Sequence, residues 1–452
     1  MDSEIFEKLP PTRLFFRCAL PSMISMAFGA LYQIADGLFV GRFIGEDALA
    51  AINLIMPIIM MVFAFSNMIA TGAAVRVSVL LGTKNRDDAS RVFTFSINFI
   101  FAMSVVIGLL GFLFAPSIVR FLAPDATEKA VEYAIIYLRL HSAFSPLTLL
   151  FFANDNYLRA CGKEKLSMWI SIITQLLNIV LDVILIAFMK QGIWAAAFTS
   201  CLSMSLGSLI TLRVFGGKKL DLYFKRGGVS LPVLWRILAN GSSEFFSNVS
   251  MSVMSIIYNF FLLAYGGTTA VAAFSVIMYV DSIIGMLVFG MCDALQPAIS
   301  YCHGAGLPNK ARAIFKRIII GAAVLSSAAM LFMMFLGEYV APLFVKPEDT
   351  ELLAVSIEGM KIFSISYLTG WVDMCFSSYF TAIERPVRSL LTSFLGTLVF
   401  PVAFLFLLTP IWQLDGVWIT TIASCTASAF FTLLLAFTIK STQKPVKQNA
   451  TY

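Results

Sequence analysis

Five side chains in this sequence could do chemistry together: Tyr32, Asp36, Asn178, Asp182 and Ser200. Each lies in a long apolar stretch, where an ionised group costs at least about 2.5 kcal/mol unless it faces a cavity or a partner. Tyr32 precedes Asp36 by four residues and Asn178 precedes Asp182 by four, so on helices each pair shares a face. Asp36 stands 8 residues before a turn near position 44, and Asp182 and Ser200 stand 9 residues to either side of a turn near 191. At a helical rise of about 1.5 Å per residue, all three lie roughly 12–14 Å inside those turns, in one plane. Two carboxylates that close cannot both be ionised cheaply, so the arrangement suits uptake of a proton, or of Na⁺ held by Asp36, Asp182 and Asn178. The plainer alternative is that both acids bond neighbouring backbone and hydroxyl groups.

Other buried charges are sorted by depth. Asp155 precedes Arg159 by four, which makes it either a carboxylate on the ion's path or half of an i,i+4 ion pair. In the second half of the chain, Asp281 lies mid-span, with Glu244, Asp293 and Asp373 nearer span ends. These four are candidates for a substrate cavity, although snorkelling or capping competes for Glu244 and Asp293. Arg139 and Lys361 occupy corresponding places in the two halves, which favours a structural role. Pro21 removes a backbone hydrogen bond inside the first span and is a candidate hinge.

The elements that must carry these groups are membrane helices. The chain is 59% hydrophobic and only 13% charged, against about 25% charged for soluble domains. Twelve apolar runs are long enough to cross a bilayer, near 15–39, 48–76, 94–119, 127–157, 166–189, 193–215, 233–264, 270–300, 314–336, 350–381, 390–409 and 417–439. They do not alternate as the strands of a lipid-facing barrel do. With both termini cytoplasmic, 25 of the 32 Lys and Arg fall in inner segments and five in outer ones, a positive-inside pattern. The net charge of +6 therefore reflects topology and gives no reason to expect nucleic acid. The first residues, with Asp2, Glu4 and Glu7, do not read as a cleavable signal.

The seven cysteines have no metal or redox spacing, and His141 and His303 stand apart from each other in the sequence. No phosphate-binding or dinucleotide motif is present. These patterns predict no enzyme, no metal cluster and no cofactor. The 21 Met and 42 Phe permit a pocket adaptable to differently shaped apolar ligands without locating one.

The sequence also repeats itself at an offset of 222. Over positions 45 to 93 there are ten identities in 49 pairs, among them Gly45 with Gly267, Ser78 with Ser300, Gly82 with Gly304 and Phe93 with Phe315. Each copy holds six spans, an even number, so the copies start on the same side and are related by an axis along the membrane normal. The expected fold is all-α: a first lobe over 1–214, a basic linker over 215–231, a second lobe over 232–440 and a polar tail over 441–452.

Tyr32-Gln-Ile-Ala-Asp36-Gly-Leu-Phe-Val-Gly41 followed by Gly45-Glu-Asp-Ala-Leu-Ala-Ala51 resembles the first-helix signature of the multidrug and toxic compound extrusion (MATE) family. Tyr157-Leu-Arg-Ala-Cys-Gly162, Leu177-Asn-Ile-Val-Leu-Asp182 and Gln296-Pro-Ala-Ile-Ser300 resemble its fourth, fifth and eighth helices. The similarity covers nearly the whole chain and is greatest to the bacterial branch with MepA-like and DinF-type exporters. It implies a monomeric antiporter in a bacterial plasma membrane, expelling small organic cations or drugs in exchange for H⁺ or Na⁺. It also implies an ion site at Tyr32, Asp36, Asn178, Asp182 and Ser200. A sodium site in the second half, which some members have, does not transfer, because Met251 stands at one of its positions. Two rivals are a flippase for a lipid-linked saccharide, which would need a strongly cationic cavity, and a channel or receptor, which would not need unpaired acids in one half.

Overall fold

The computed structural model describes residues 2–124, 126–217, 219–345 and 349–438. The expected tail (441–452), the last two residues of the second lobe, Lys218 of the linker and Lys346 lie outside the described residues. Those described form helices and connecting turns, without a strand. Ten helical segments are long and apolar enough to cross a membrane. Eight are single spans: α1 (Pro11–Ile44), α2 (Glu46–Gly82), α3 (Arg86–Leu122), α4 (Glu128–Ala160), α5 (Glu164–Phe188), α6 (Ile193–Gly216), α9 (Pro308–Leu343) and α10 (Thr350–Ala382). The other two each contain a break. Leu231–Gly304 turns at Gly267, giving α7 and α8, and Pro386–Phe437 turns at Gln413, giving α11 and α12. The result is the twelve spans expected from hydropathy. Outward-pointing Leu109, Leu113, Phe188, Phe335 and Phe430 suit a lipid surround.

Local sequence explains where the spans begin. Asn85 and Thr127 cap α3 and α4, each side chain accepting a backbone N–H three residues on, at 3.2 Å. Gly45 and Gly267, 222 apart, both hold left-handed φ values, 115° and 63°, in the turns between α1 and α2 and between α7 and α8. The backbone keeps the repeat even where the residue does not: Lys84 and Gly306 share that conformation, as do Gly162 and Glu384.

The buried side chains fall into three groups. One contains residues of both halves, from Leu81 and Phe93 to Leu295 and Ile314, and lies at the end carrying the basic 82–91 and 304–312 turns. The second contains only first-half residues, including Val40, Ala48, Val119 and Ile193. The third contains only second-half residues, including Leu262, Ala270, Ala341 and Val417. The halves thus share a core at the basic end and keep separate cores at the other, so the molecule is a V closed at its basic end.

Glycines make that closure possible. A Cβ on Gly241 would lie 1.8 Å from the Met68 carbonyl oxygen, and one on Gly72 2.0 Å from that of Ile237, so α2 and α7 cross backbone on backbone. The repeat-related Gly82 and Gly304 do the same between α2 and α8: their Cβ atoms would stand 2.2 Å from Tyr301 O and 2.1 Å from Val79 O. These crossings join one half to the other.

Residues 2–8 form a short helical wedge beneath the junction. Ser3 N and Oγ both donate to Asp221 at 2.7 Å, and Asp2 pairs with Lys163 at 3.0 Å. Phe6 is buried edge-on against Tyr301 of α8. Glu7 pairs with Lys84 of the first half at 2.8 Å, and its backbone oxygen accepts from Lys310 of the second. The hydrogen bond from Lys84 holds the Glu7 carboxyl below the usual carboxylate range.

Candidate functional site

α1, α5 and α6 carry the five opening side chains, and the structure brings all of them to one place in the first half. Tyr32 Oη lies 3.2 Å from Ser200 Oγ, which also accepts from Asn178 Nδ2 at 3.1 Å. Asp36 and Asp182 stand close enough for each to feel the other's charge. Asp182, Asn178 and Ser200 are buried, and Asp36 is mostly so. Thr199 donates to Asp182 Oδ1 at 2.5 Å. After that accounting, Asp36 Oδ1, Asp182 Oδ2 and Asn178 Oδ1 remain buried without a protein donor. Unsatisfied buried acceptors cost about 1–3 kcal/mol each, more when charged. Three oxygens in one cluster therefore present a place for a proton or a small bare cation.

Each acid sits beside an irregular turn. α1 ends in a π-helical turn over Val40–Ile44, four residues past Asp36, and α5 has one over Val183–Phe188, directly after Asp182. Gly45 N bonds Val40 O, and Met189 N bonds Ile184 O, each five residues back. Such turns recur at functional sites, where they re-aim the side chains nearby. Pro21 is buried within α1, which stays helical across it.

A cavity of about 170 Å³ runs from this cluster toward the basic end. Tyr32, Asn178 and Ser200 line one part, Asp155 and Arg159 another, and Met286 of α8 forms a wall from the second half. Gln175 Oε1 and Ser203 Oγ, also in its lining, are buried without partners. Asp155 is therefore reached through the cavity and does not touch the Asp36–Asp182 pair. It pairs with Arg159 at 2.6 Å and accepts from Ser167.

The four candidate acids of the second half are not brought together in this cavity, whose lining includes none of them. Asp293 pairs across the junction with Arg159, and Glu244 stands close enough to Asp293 to feel its charge. Asp281 accepts from Tyr367 Oη at 2.8 Å, and Asp373 from Thr432 Oγ1 at 2.7 Å, both within the second half. Arg139 is exposed, its guanidinium 5.6 Å from the Phe112 ring centre, and Lys361 is exposed as well.

Sequence reasoning missed two participants. Thr199 is the hydroxyl on Asp182, whereas its neighbour Ser200 serves Tyr32 and Asn178. Equal depth was the available signal, and it does not separate adjacent residues. The Arg159–Asp293 contact joins positions 134 apart in sequence, and nothing local marks it.

Comparison with known proteins agrees with this architecture. The multidrug export protein MepA of Staphylococcus haemolyticus strain JCSC1435 is 25% identical over 441 residues, covering 96% of this chain and 95% of that protein. MepA of Staphylococcus aureus strain MSSA476 is 25% identical over 438 residues, with 95% of each covered. Among solved structures, MATE in complex with MaL6 superposes with a TM-score of 0.91 at 24% identity over 97% of this chain and 98% of that one. The outward-facing conformation of a multidrug resistance MATE family transporter of the MOP superfamily gives 0.90 at 24% identity, over 97% and 99%. The MatE family model matches twice, over residues 21–184 and again over 245–407, once in each half of the internal repeat. Matched over most of its length by that doubled pattern, this multi-pass membrane protein belongs to the MatE family of transporters.

Proposed function

We propose that this protein is a secondary antiporter that exports cationic amphipathic organic compounds in exchange for H⁺ or Na⁺. The observation that carries the reading is the group of three buried oxygens, on Asp36, Asp182 and Asn178, left without donors. A proton shared by the two carboxyls, or a sodium ion held with Asn178 and helped by Thr199, would satisfy them. The basic end is cytoplasmic, by the distribution of Lys and Arg. The V then opens outward, and the protein acts as a monomer with its lobes at 1–214 and 232–440. Substrate sits between the lobes. Cation entry at Asp36 and Asp182 neutralises the first half, bends α1 near Pro21 and lowers affinity for a positively charged substrate, which leaves outward. The reset carries the cation inward through the cavity toward Asp155. The names of the MepA relatives support drugs as the substrate class. Only two basic residues, Arg139 and Lys361, lie at depth in the spans, which weighs against the strongly cationic cavity that a lipid-linked saccharide would need.

The test is accumulation of a cationic dye by everted vesicles. An imposed proton or sodium gradient should drive it, and collapsing that gradient should stop it. Uptake unchanged in sodium-free buffer with an uncoupler would overturn the exchange mechanism.

A further inference from the structure

We propose that Arg159 is the latch that holds the lobes shut at the basic end, and that Asp293 is its catch. The inference rests on the alternating-access reading and assigns the contact that must break for inward opening. Arg159 is 2% exposed and belongs to α4 of the first half. It is shared between Asp155, four residues back on its own helix, and Asp293 on α8 of the opposite half. The guanidinium's forked donors can grip two carboxylates at once, which a lysine could not do as well.

The internal repeat shows that this charge is not needed to fold the turn. Residues 222 further along are Ser377 for Asp155, Thr381 for Arg159 and Ser389 for Ser167. They close the equivalent turn with hydroxyls alone: Ser377 to Ser389 at 2.9 Å and Thr381 to Ser389 at 2.6 Å. The first half instead places a cation there and directs it across the junction. A second cross-junction pair, Arg76 with Glu384 at 3.3 Å, is partly open to solvent at Glu384.

The same arginine also lines the cavity that leads from the Asp36–Asp182 cluster. A small cation travelling inward along that path reaches Asp155 next to Arg159. There its positive charge meets that of the guanidinium in the same cavity, which raises the cost of keeping Arg159 buried at the lobe junction. Passage of the cation and parting of the lobes are thereby joined at one side chain.

Spin labels on exposed Lys165 and Asn309, at the basic ends of the two halves, read the opening when the seven native cysteines are replaced. Asp293→Asn should raise the ratio of long to short label distances by about tenfold, a shift worth about 1.4 kcal/mol. Asp155→Asn, which leaves the cross-junction pair in place, should raise it far less. Exchanging the charges (Arg159→Asp with Asp293→Arg) should return the distribution toward wild type, which a merely structural loss would not do. Distances unchanged in Asp293→Asn, while the wild type still switches under an ion gradient, overturn the latch and leave the transport reading intact. A wild type that never switches under any gradient overturns both.

Discussion

Asp182→Asn is expected to cut gradient-driven dye accumulation in everted vesicles about tenfold or more, while the protein still folds and reaches the membrane. Asparagine keeps the shape of the side chain, and its amide oxygen still accepts from Thr199, so the 2.5 Å contact has a counterpart. What disappears is the charge. Coupling between two sites is typically worth about 1–3 kcal/mol, or about 5–150-fold in affinity, and removing the ionisable partner removes that linkage. Asp36→Asn should behave alike, because the two acids stand close enough to feel each other's charge. The double variant should then be little worse than either single one, as coupled neighbours do not add. Thr199→Val is the milder comparison. It strips one donor from Asp182 and should slow transport without abolishing it. Full accumulation by both asparagine variants would remove these acids from the mechanism.

The second large effect is expected at the glycine crossings. Gly241→Ala puts a methyl group 1.8 Å from the Met68 carbonyl oxygen, and Gly304→Ala puts one 2.1 Å from that of Val79. The obstacle is backbone in both cases, so no flexible side chain can swing aside. Overpacking costs about 1–3 kcal/mol, and it is felt only while the basic end is shut. Molecules with that end closed should therefore become scarcer, by tenfold for each 1.4 kcal/mol or so, and transport should fall. The Lys165–Asn309 label distance reports the first effect and vesicle uptake the second. A distribution identical to wild type in both variants would show that the crossings have slack that the contacts do not suggest.

Much of this was legible beforehand, for identifiable reasons. Hydropathy located every span, and the gap left between 264 and 270 contains the Gly267 turn, because a bilayer imposes length on anything that crosses it. Depth counting brought Tyr32, Asp36, Asn178, Asp182 and Ser200 together, since helical rise converts position into height. Rise says little about azimuth, and the π-helical turns beside both acids shift the helix face where it matters. Thr199 and Ser200, neighbours on α6, differ in azimuth and hardly in height, so depth alone does not tell which of them meets Asp182. Among the second-half acids, Asp281 and Asp373 take hydrogen bonds from Tyr367 and Thr432 on other helices of that half, and no spacing in the sequence marks either pair. The internal repeat singles out Gly82 and Gly304, and the packing gives the reason: the two residues lie where the halves cross.

The wedge formed by residues 2–8 has a practical consequence for handling the protein. Its anchors include Asp221, Tyr301 and Lys310, so a ribosome must finish most of the polypeptide before its opening residues can dock. Removing residues 2–8 would therefore take contacts from both halves at once, from Lys84 in the first and from Tyr301 and Lys310 in the second. A variant lacking residues 2–8 should melt earlier and take up less dye than the protein that keeps them.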